Sequence, residues 1–130
     1  MVPDEAELVV RMLIVDDEPD MRLLMRMTLD VELFIDVTAE ATDGDEAVEA
    51  WRAHKPDVIV MDMRMPRMSG LLAAEEILAA QPDQAIIMCS AYMDAVERDR
   101  ASAVGIRECL DKYDIVRLAD AVRRAAAPTN

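Results

Sequence analysis

Asp16, Asp17, Asp62, Ser90 and Lys112 each stand at or just beyond the end of a short apolar run in this 130-residue chain. If those runs are neighbouring strands, three carboxylates, a hydroxyl and an ammonium converge on one edge. Three crowded carboxylates raise one another's pKa unless a cation joins them. An oxygen-only donor set with no His or Cys beside it favours Mg2+ over zinc, with water filling the remaining octahedral positions. Mg2+ held by one or two carboxylates usually serves a phosphate substrate. The chemistry that fits is phosphoryl transfer, in which positioning and charge stabilisation supply most of the catalysis.

Taken singly, each residue has a plainer role. Asp16 and Asp17 could cap the helix that follows them, Asp62 could close an Asx turn, Ser90 could cap a later helix, and Lys112 could be a solvated loop charge. The elements around them decide whether they meet. Val9 to Val15 reads as a buried strand, and Pro19 suits the first turn of a helix from about Asp20 to Asp30. Phe34 to Ala39 is the second strand, Asp43-Gly44 a turn, and Asp45 to His54 a helix that Lys55-Pro56 breaks. Asp57 to Met61 is the third strand, followed by a loop with Asp62, Pro66 and Gly70 and a helix to about Ala80. Ala85 to Cys89, Met93 to Ala103, Ile106 to Leu110 and Asp114 to Ala126 complete the alternation.

Five strand-helix repeats with strands apolar almost throughout predict a parallel sheet covered on both faces. Right-handed crossovers make it a doubly wound α/β sandwich, in which ligands bind beyond the carboxyl ends of the strands. Residues 1–8 read as a leader, 9–127 as one domain and 128–130 as a tail.

The composition excludes several alternatives. Fourteen Lys and Arg against 27 Asp and Glu give a net charge of −13, which phosphate backbones would repel, so autonomous nucleic-acid binding is not expected. With 53% of residues hydrophobic the chain is not a disordered segment. No apolar run approaches the roughly 20 residues of a membrane span, and Asp4, Glu5 and Glu7 stand where a secretory signal would carry positive charge. Cys89 and Cys109 lie in apolar runs without metal-ligand spacing and read as reduced thiols, consistent with a cytoplasmic protein.

The residues that carry this chemistry also carry a resemblance. Leu13-Ile14-Val15-Asp16-Asp17-Glu18, Ala41-Thr42-Asp43-Gly44-Asp45-Glu46-Ala47, Asp57 through Gly70, Ser90-Ala91 and Lys112 occur in an order and spacing that resembles the receiver domain of two-component response regulators, over about Val10 to Ala125. The resemblance implies a flavodoxin-like (βα)5 fold with sheet order 2-1-3-4-5. It implies Asp62 as phosphoacceptor for a phosphohistidine of a sensor histidine kinase or histidine phosphotransfer protein. Asp17 and Asp62 would bind Mg2+ directly, Asp16 would act largely through water, and the Arg64 backbone carbonyl would be a further ligand that leaves the Arg64 side chain free. Lys112 would hold a phosphoryl oxygen and Ser90 would donate to another.

The resemblance also bears on switching. Ser90 drawn inward would shift the loop into the fourth helix, and the strand-five position that usually holds a rotating aromatic is Cys109, for which Tyr92 or Tyr113 could substitute. Tyr113 occupies a place usually held by Pro, so either a cis Lys112-Tyr113 bond or a shifted loop is expected. Arg64 and Tyr92 stand where access of hydrolytic water is tuned. Met21 in the first helix, with Met65 and Pro66 beside Asp62, is the expected docking surface for the phosphodonor protein, with Met63 and Met68 completing an apolar rim. The mixed charges of the fourth and fifth helices, with the fifth strand between them, could support a homodimer on phosphorylation. Two other functions compete: a Mg2+-dependent phosphohydrolase, for which no unassigned acid or base falls at a strand end, and an unphosphorylated interaction module, which would be expected to lack Asp17, Asp62 or Lys112.

Overall fold

The structure is a computed structural model and describes residues 9–127; the expected leader and tail lie outside them. Five parallel strands, β1 (Val10–Val15), β2 (Ile35–Ala41), β3 (Val58–Met61), β4 (Ala85–Ser90) and β5 (Glu108–Asp111), alternate with five helices, α1 (Pro19–Asp30), α2 (Gly44–His54), α3 (Gly70–Ala80), α4 (Ala95–Val104) and α5 (Leu118–Ala126). The sheet order is β2-β1-β3-β4-β5, the doubly wound arrangement expected.

Strand periodicity splits the core in two. Met12 and Ile14 of β1, Val58 and Val60 of β3, and Ile87 and Cys89 of β4 pack with Met25 and Leu29 of α1 and Leu118, Ala121 and Val122 of α5. The intervening residues Leu13, Val15, Ile59, Met61, Ile86 and Met88 face the opposite layer, meeting Val48 of α2, Ala73, Ala74 and Ile77 of α3 and Ala101 of α4. Every residue of β3 and β4 is buried, which is why these runs show no polar alternation. Fully burying each such Val, Leu or Ile contributes about 1.5–3 kcal/mol.

The helix ends carry readable signals. Asp43 caps α2, accepting from the Glu46 N–H at 2.8 Å, and Ser69 caps α3 through Leu72 N–H at 3.2 Å. Asp94 and Glu97 form a reciprocal capping box on α4, and Gly105 ends that helix in the left-handed region at φ 102°.

Three expectations change. The last helix does not start at Asp114: Lys112–Arg117 is a 3-10 segment, begun where Asp111 accepts from Tyr113 N–H at 2.8 Å. The fourth starts two residues later than its apolar pattern, because the Asp94 cap fixes its first turn. The apolar residues Met21, Leu23, Leu24, Met25, Met27 and Leu29 of α1 read in sequence as a core stripe, yet Leu23, Leu24 and Met27 are exposed while Met25 and Leu29 are buried. Between β1 and β2 the register slips at Met12/Leu13, and the Thr38 left over donates its hydroxyl to the Met12 carbonyl at 3.1 Å.

Candidate functional site

The carboxyl end of the sheet assembles the polar groups. Val15 and Met61 are register partners on β1 and β3, so Asp16 and Asp62, one residue on, emerge side by side; Asp62 N–H is anchored to the Val15 carbonyl at 2.9 Å. Ser90 ends β4 opposite Asp111 of β5, which puts Lys112 beside the carboxylates. One oxygen each from Asp16, Asp17 and Asp62 lies within 4.8 Å of the others. Asp16 and Asp62 are buried, whereas Asp17 opens to solvent.

Lys112 is the cation of this cluster. Its Nζ donates to Asp62 Oδ2 at 3.1 Å, faces Asp16 Oδ2 at 2.8 Å and lies 4.0 Å from Glu18 Oε1. Burial works against its charge, yet the Asp16 and Asp62 carboxylates hold its pKa up at about 12. Burial raises the Asp62 carboxyl above the usual carboxylate range, the pull of Lys112 opposes this, and the Asp16 charge adds to it. The ammonium meets the buried Asp16 Oδ2 at 2.8 Å as well as Asp62, so one positive charge serves two buried carboxylates. The three clustered carboxylates are an all-oxygen donor set that fits a hard divalent cation such as Mg2+.

The supports of the site are less visible in sequence. Asp16 Oδ1 accepts from the Glu18 N–H at 2.9 Å. Arg22, one turn into α1, donates to the Asp16 carbonyl at 2.8 Å while pairing with Glu40 of β2 at 3.2 Å, so it holds the acidic turn from behind. Gly44 and Gly70 allow close backbone approach: a Cβ on Gly44 would fall 2.4 Å from the Met68 carbonyl oxygen, and one on Gly70 would fall 1.9 Å from that of Asp62. Spacing alone does not reveal Arg22, Gly44 or Gly70 as part of the site.

Several sequence expectations are revised here. The Arg64 side chain is not free: it donates to the Tyr92 carbonyl at 2.8 Å and the Ser90 hydroxyl at 3.4 Å, and its other terminal nitrogen reaches both Glu97 carboxylate oxygens at 2.7 and 2.6 Å. Its own N–H approaches Asp62 Oδ1 at 3.3 Å. Neither tyrosine takes the buried aromatic place, because Tyr92 is 69% and Tyr113 84% exposed. Cys109 instead packs half-buried on the α2-α3-α4 layer. The Lys112-Tyr113 bond is trans, as are all peptide bonds among the described residues; the 3-10 segment is the shifted loop, and Lys112 still reaches Asp62. Met63 is core rather than rim, whereas Met65 and Met68 are half-buried, Pro66 is exposed and Met21 packs at the edge of the α1-α5 layer. Cys89 and Cys109 lie on opposite faces of the sheet, consistent with free thiols.

Known proteins resemble this chain in sequence and in fold. The family model described as response regulator receiver domain matches residues 12–123. The chemotaxis protein CheY of Thermotoga maritima is 43% identical over 81 residues, 62% of this chain and 67% of that protein. A protein-glutamate methylesterase/protein-glutamine glutaminase of Geobacter metallireducens is 46% identical over 88 residues, 68% of this chain and 25% of that protein, so the match spans only a quarter of that relative. The crystal structure of the response regulator domain of Thermotoga maritima CheB superposes with a TM-score of 0.86 at 28% identity, covering 94% of this chain and 99% of that one.

Proposed function

The chain belongs to the response regulator receiver domain family, and from that premise we propose that Asp62 is its phosphoacceptor. It is a receiver domain homologous to those of CheY and CheB, with a signalling role based on phosphate acceptance; receiver domains act with Mg2+, histidine kinases and phosphotransfer proteins. The observation that carries the assignment is the burial of the Asp62 carboxyl at a strand end, 3.1 Å from one ammonium and within 4.8 Å of oxygens on Asp16 and Asp17.

The reaction is displacement at phosphorus. A carboxylate oxygen of Asp62 forms a bond to the phosphoryl group as its bond to the donor's imidazole nitrogen breaks, the electron pair returning to the imidazole. Asp17 and Asp62, the Arg64 carbonyl and, through water, Asp16 are the ligands assigned to Mg2+, which when bound offsets negative charge on the phosphoryl oxygens. Lys112, already on Asp62 Oδ2, is placed to pair with one of those oxygens. The Ser90 hydroxyl, held only by contacts of 3.4 Å to Tyr92 O and Arg64, is free to turn toward another.

A phosphoryl group adds close to two negative charges, and Ser90 following it would draw the loop ahead of α4. With Cys109 in strand five and both tyrosines on the surface, this switch runs without rotation of a buried aromatic. Arg64 at the mouth shields the acyl phosphate from water. We assign phosphodonor docking to Met21, Met65 and Pro66, dimerisation to the α4-β5-α5 face, and the compartment to the cytoplasm; no described helix is long and apolar enough to cross a membrane. Incubation with a small-molecule acyl phosphate and Mg2+ tests the central assignment. Intact-mass spectrometry should show one phosphoryl group on the wild type and none on Asp62→Asn; uptake that persists in that variant refutes it.

A further inference from the structure

The Arg64 guanidinium is shared between the end of β4 and the first turn of α4. It leaves the loop two residues after Asp62, touches the Ser90 hydroxyl with one terminal nitrogen, and gives the other to both oxygens of Glu97, a residue 33 positions away on α4. Glu97 is also the third helical residue of α4, and its carboxylate accepts from the Asp94 N–H at 3.3 Å in the capping box. The pair therefore ties the phosphoacceptor loop to the first turn of the helix that Ser90 would move. It is the only ion pair joining that loop to α4 among the described residues. The two side chains line a cleft of about 320 Å³ together with Met63, Met65 and Leu71. With the Arg64 side chain 57% exposed, moving it off Glu97 costs little desolvation.

We infer that Glu97 is a positioning residue for the phosphoacceptor site: it competes with a phosphoryl group on Asp62 for Arg64, so that phosphorylation unlatches the first turn of α4. The competition is between a carboxylate with one negative charge and a group with nearly two, and both offer a guanidinium the paired oxygens it binds best. Linkage makes the effect reciprocal. Whatever loosens Glu97 from Arg64 stabilises the phosphorylated state, and phosphorylation loosens α4; the lifetime lengthens because a freed Arg64 shields the acyl phosphate from water. This inference rests on the assignment of Asp62 as phosphoacceptor.

Glu97→Gln separates the latch from the cap, because Gln serves a capping box as well as Glu but carries no charge for Arg64. The full chain is treated with an acyl phosphate and Mg2+, and two quantities are followed: amide hydrogen exchange over residues 94–100 and the lifetime of the phosphorylated mass species. In the wild type, phosphorylation should speed exchange in this turn. In Glu97→Gln, exchange should be raised about two- to fivefold before any phosphodonor is added and the phosphorylated lifetime lengthened by a similar factor, the size of a partly exposed ion pair. Both effects should vanish when Glu97→Gln is made in an Arg64→Ala background, since the residue it acts through is gone. If Glu97→Gln matches wild type in exchange and lifetime, or keeps its effect without Arg64, the inference falls while the phosphoacceptor assignment stands. A wild type that acquires no phosphoryl mass overturns both.

Discussion

Gly70→Ala should damage this protein although it replaces glycine by the better helix former. At the first position of α3 the substitution would be worth at most the ~1 kcal/mol that Ala holds over Gly inside helices. Against that gain stands a hard contact: the new Cβ would lie 1.9 Å from the Asp62 carbonyl oxygen, 2.8 Å from its carbon and 3.1 Å from Met61 Cγ. To reach the 3.4 Å of ordinary contact, helix and carbonyl must separate by about 1.5 Å, and overpacking of this kind costs about 1–3 kcal/mol. Little can yield, because Asp62 N–H is fixed to the Val15 carbonyl at 2.9 Å and Gly70 N–H to the Met63 carbonyl at 2.9 Å. A net destabilisation of about 2 kcal/mol is expected, read as a lower urea midpoint and a fall in Tm of about 8 °C.

Because the displaced group is the peptide of the phosphoacceptor itself, phosphoryl uptake at 25 °C should fall about tenfold even where the variant remains folded; misplacement of a reacting group by about 1 Å commonly costs this much or more. Gly105→Ala is the control. Its Cβ would meet only Leu78 Cδ1 at 3.5 Å, so what it adds is backbone strain at φ 102°. It should cost about 1 kcal/mol and leave uptake unchanged. A Gly70→Ala protein as stable as wild type, or destabilised but phosphorylated at the full rate, would refute the reasoning.

Three further outcomes are expected. Lys112→Met leaves the buried carboxylates of Asp16 and Asp62 without their ammonium, which should lower stability by about 3 kcal/mol in chelator; Mg2+ should then restore more to the variant than to wild type, and equal shifts of the two urea midpoints would contradict this. Asp43→Ala removes the cap of α2 and should cost about 1–2 kcal/mol, whereas Asp43→Asn should cost much less because Asn caps equally well; equal losses would mean that the cap is not what was removed. Burial pushes the Cys89 thiol up to about 12 and raises that of Cys109, so about one Cys89 in ten thousand is thiolate at a pH of about 8. Reactivity toward iodoacetamide should fall steeply as pH drops below about 12, and peptide mapping should find Cys89 unlabelled in the native protein and labelled in urea.

How far the site can be read from the chain depends on the range of each interaction. Asp16, Asp17, Asp62, Ser90 and Lys112 are legible because each follows an apolar run, and a parallel sheet forces the ends of such runs together. The caps at Asp43 and Asp94 are legible too, as each is followed three residues later by Glu46 and Glu97, a spacing that starts α4 at Ala95. The 3-10 segment is not, since Ile115, Leu118 and Val122 keep helical spacing straight through it while a local Asp111 hydrogen bond tightens the turn. Arg64 and Glu97 leave no trace at all, because nothing local links charges 33 residues apart. The exposure of Leu23, Leu24 and Met27 is equally hidden, as the apolar stripe of α1 is wider than the surface available to cover it.

The partition of the core also has a mechanical consequence. Adjacent residues of β4 belong to different packing layers, with Ile86 and Met88 against α2, α3 and α4 and Ile87 and Cys89 against α1 and α5. A shift of the loop after Ser90 toward α4 therefore works on one layer, while the backbone ladder of the sheet stands between it and the other. The helix that carries Met21 is mounted on that second layer. A phosphodonor partner would meet nearly the same surface at Met21 before and after transfer, whereas Met65 packs on the layer that shifts, so its grip would change on one side only.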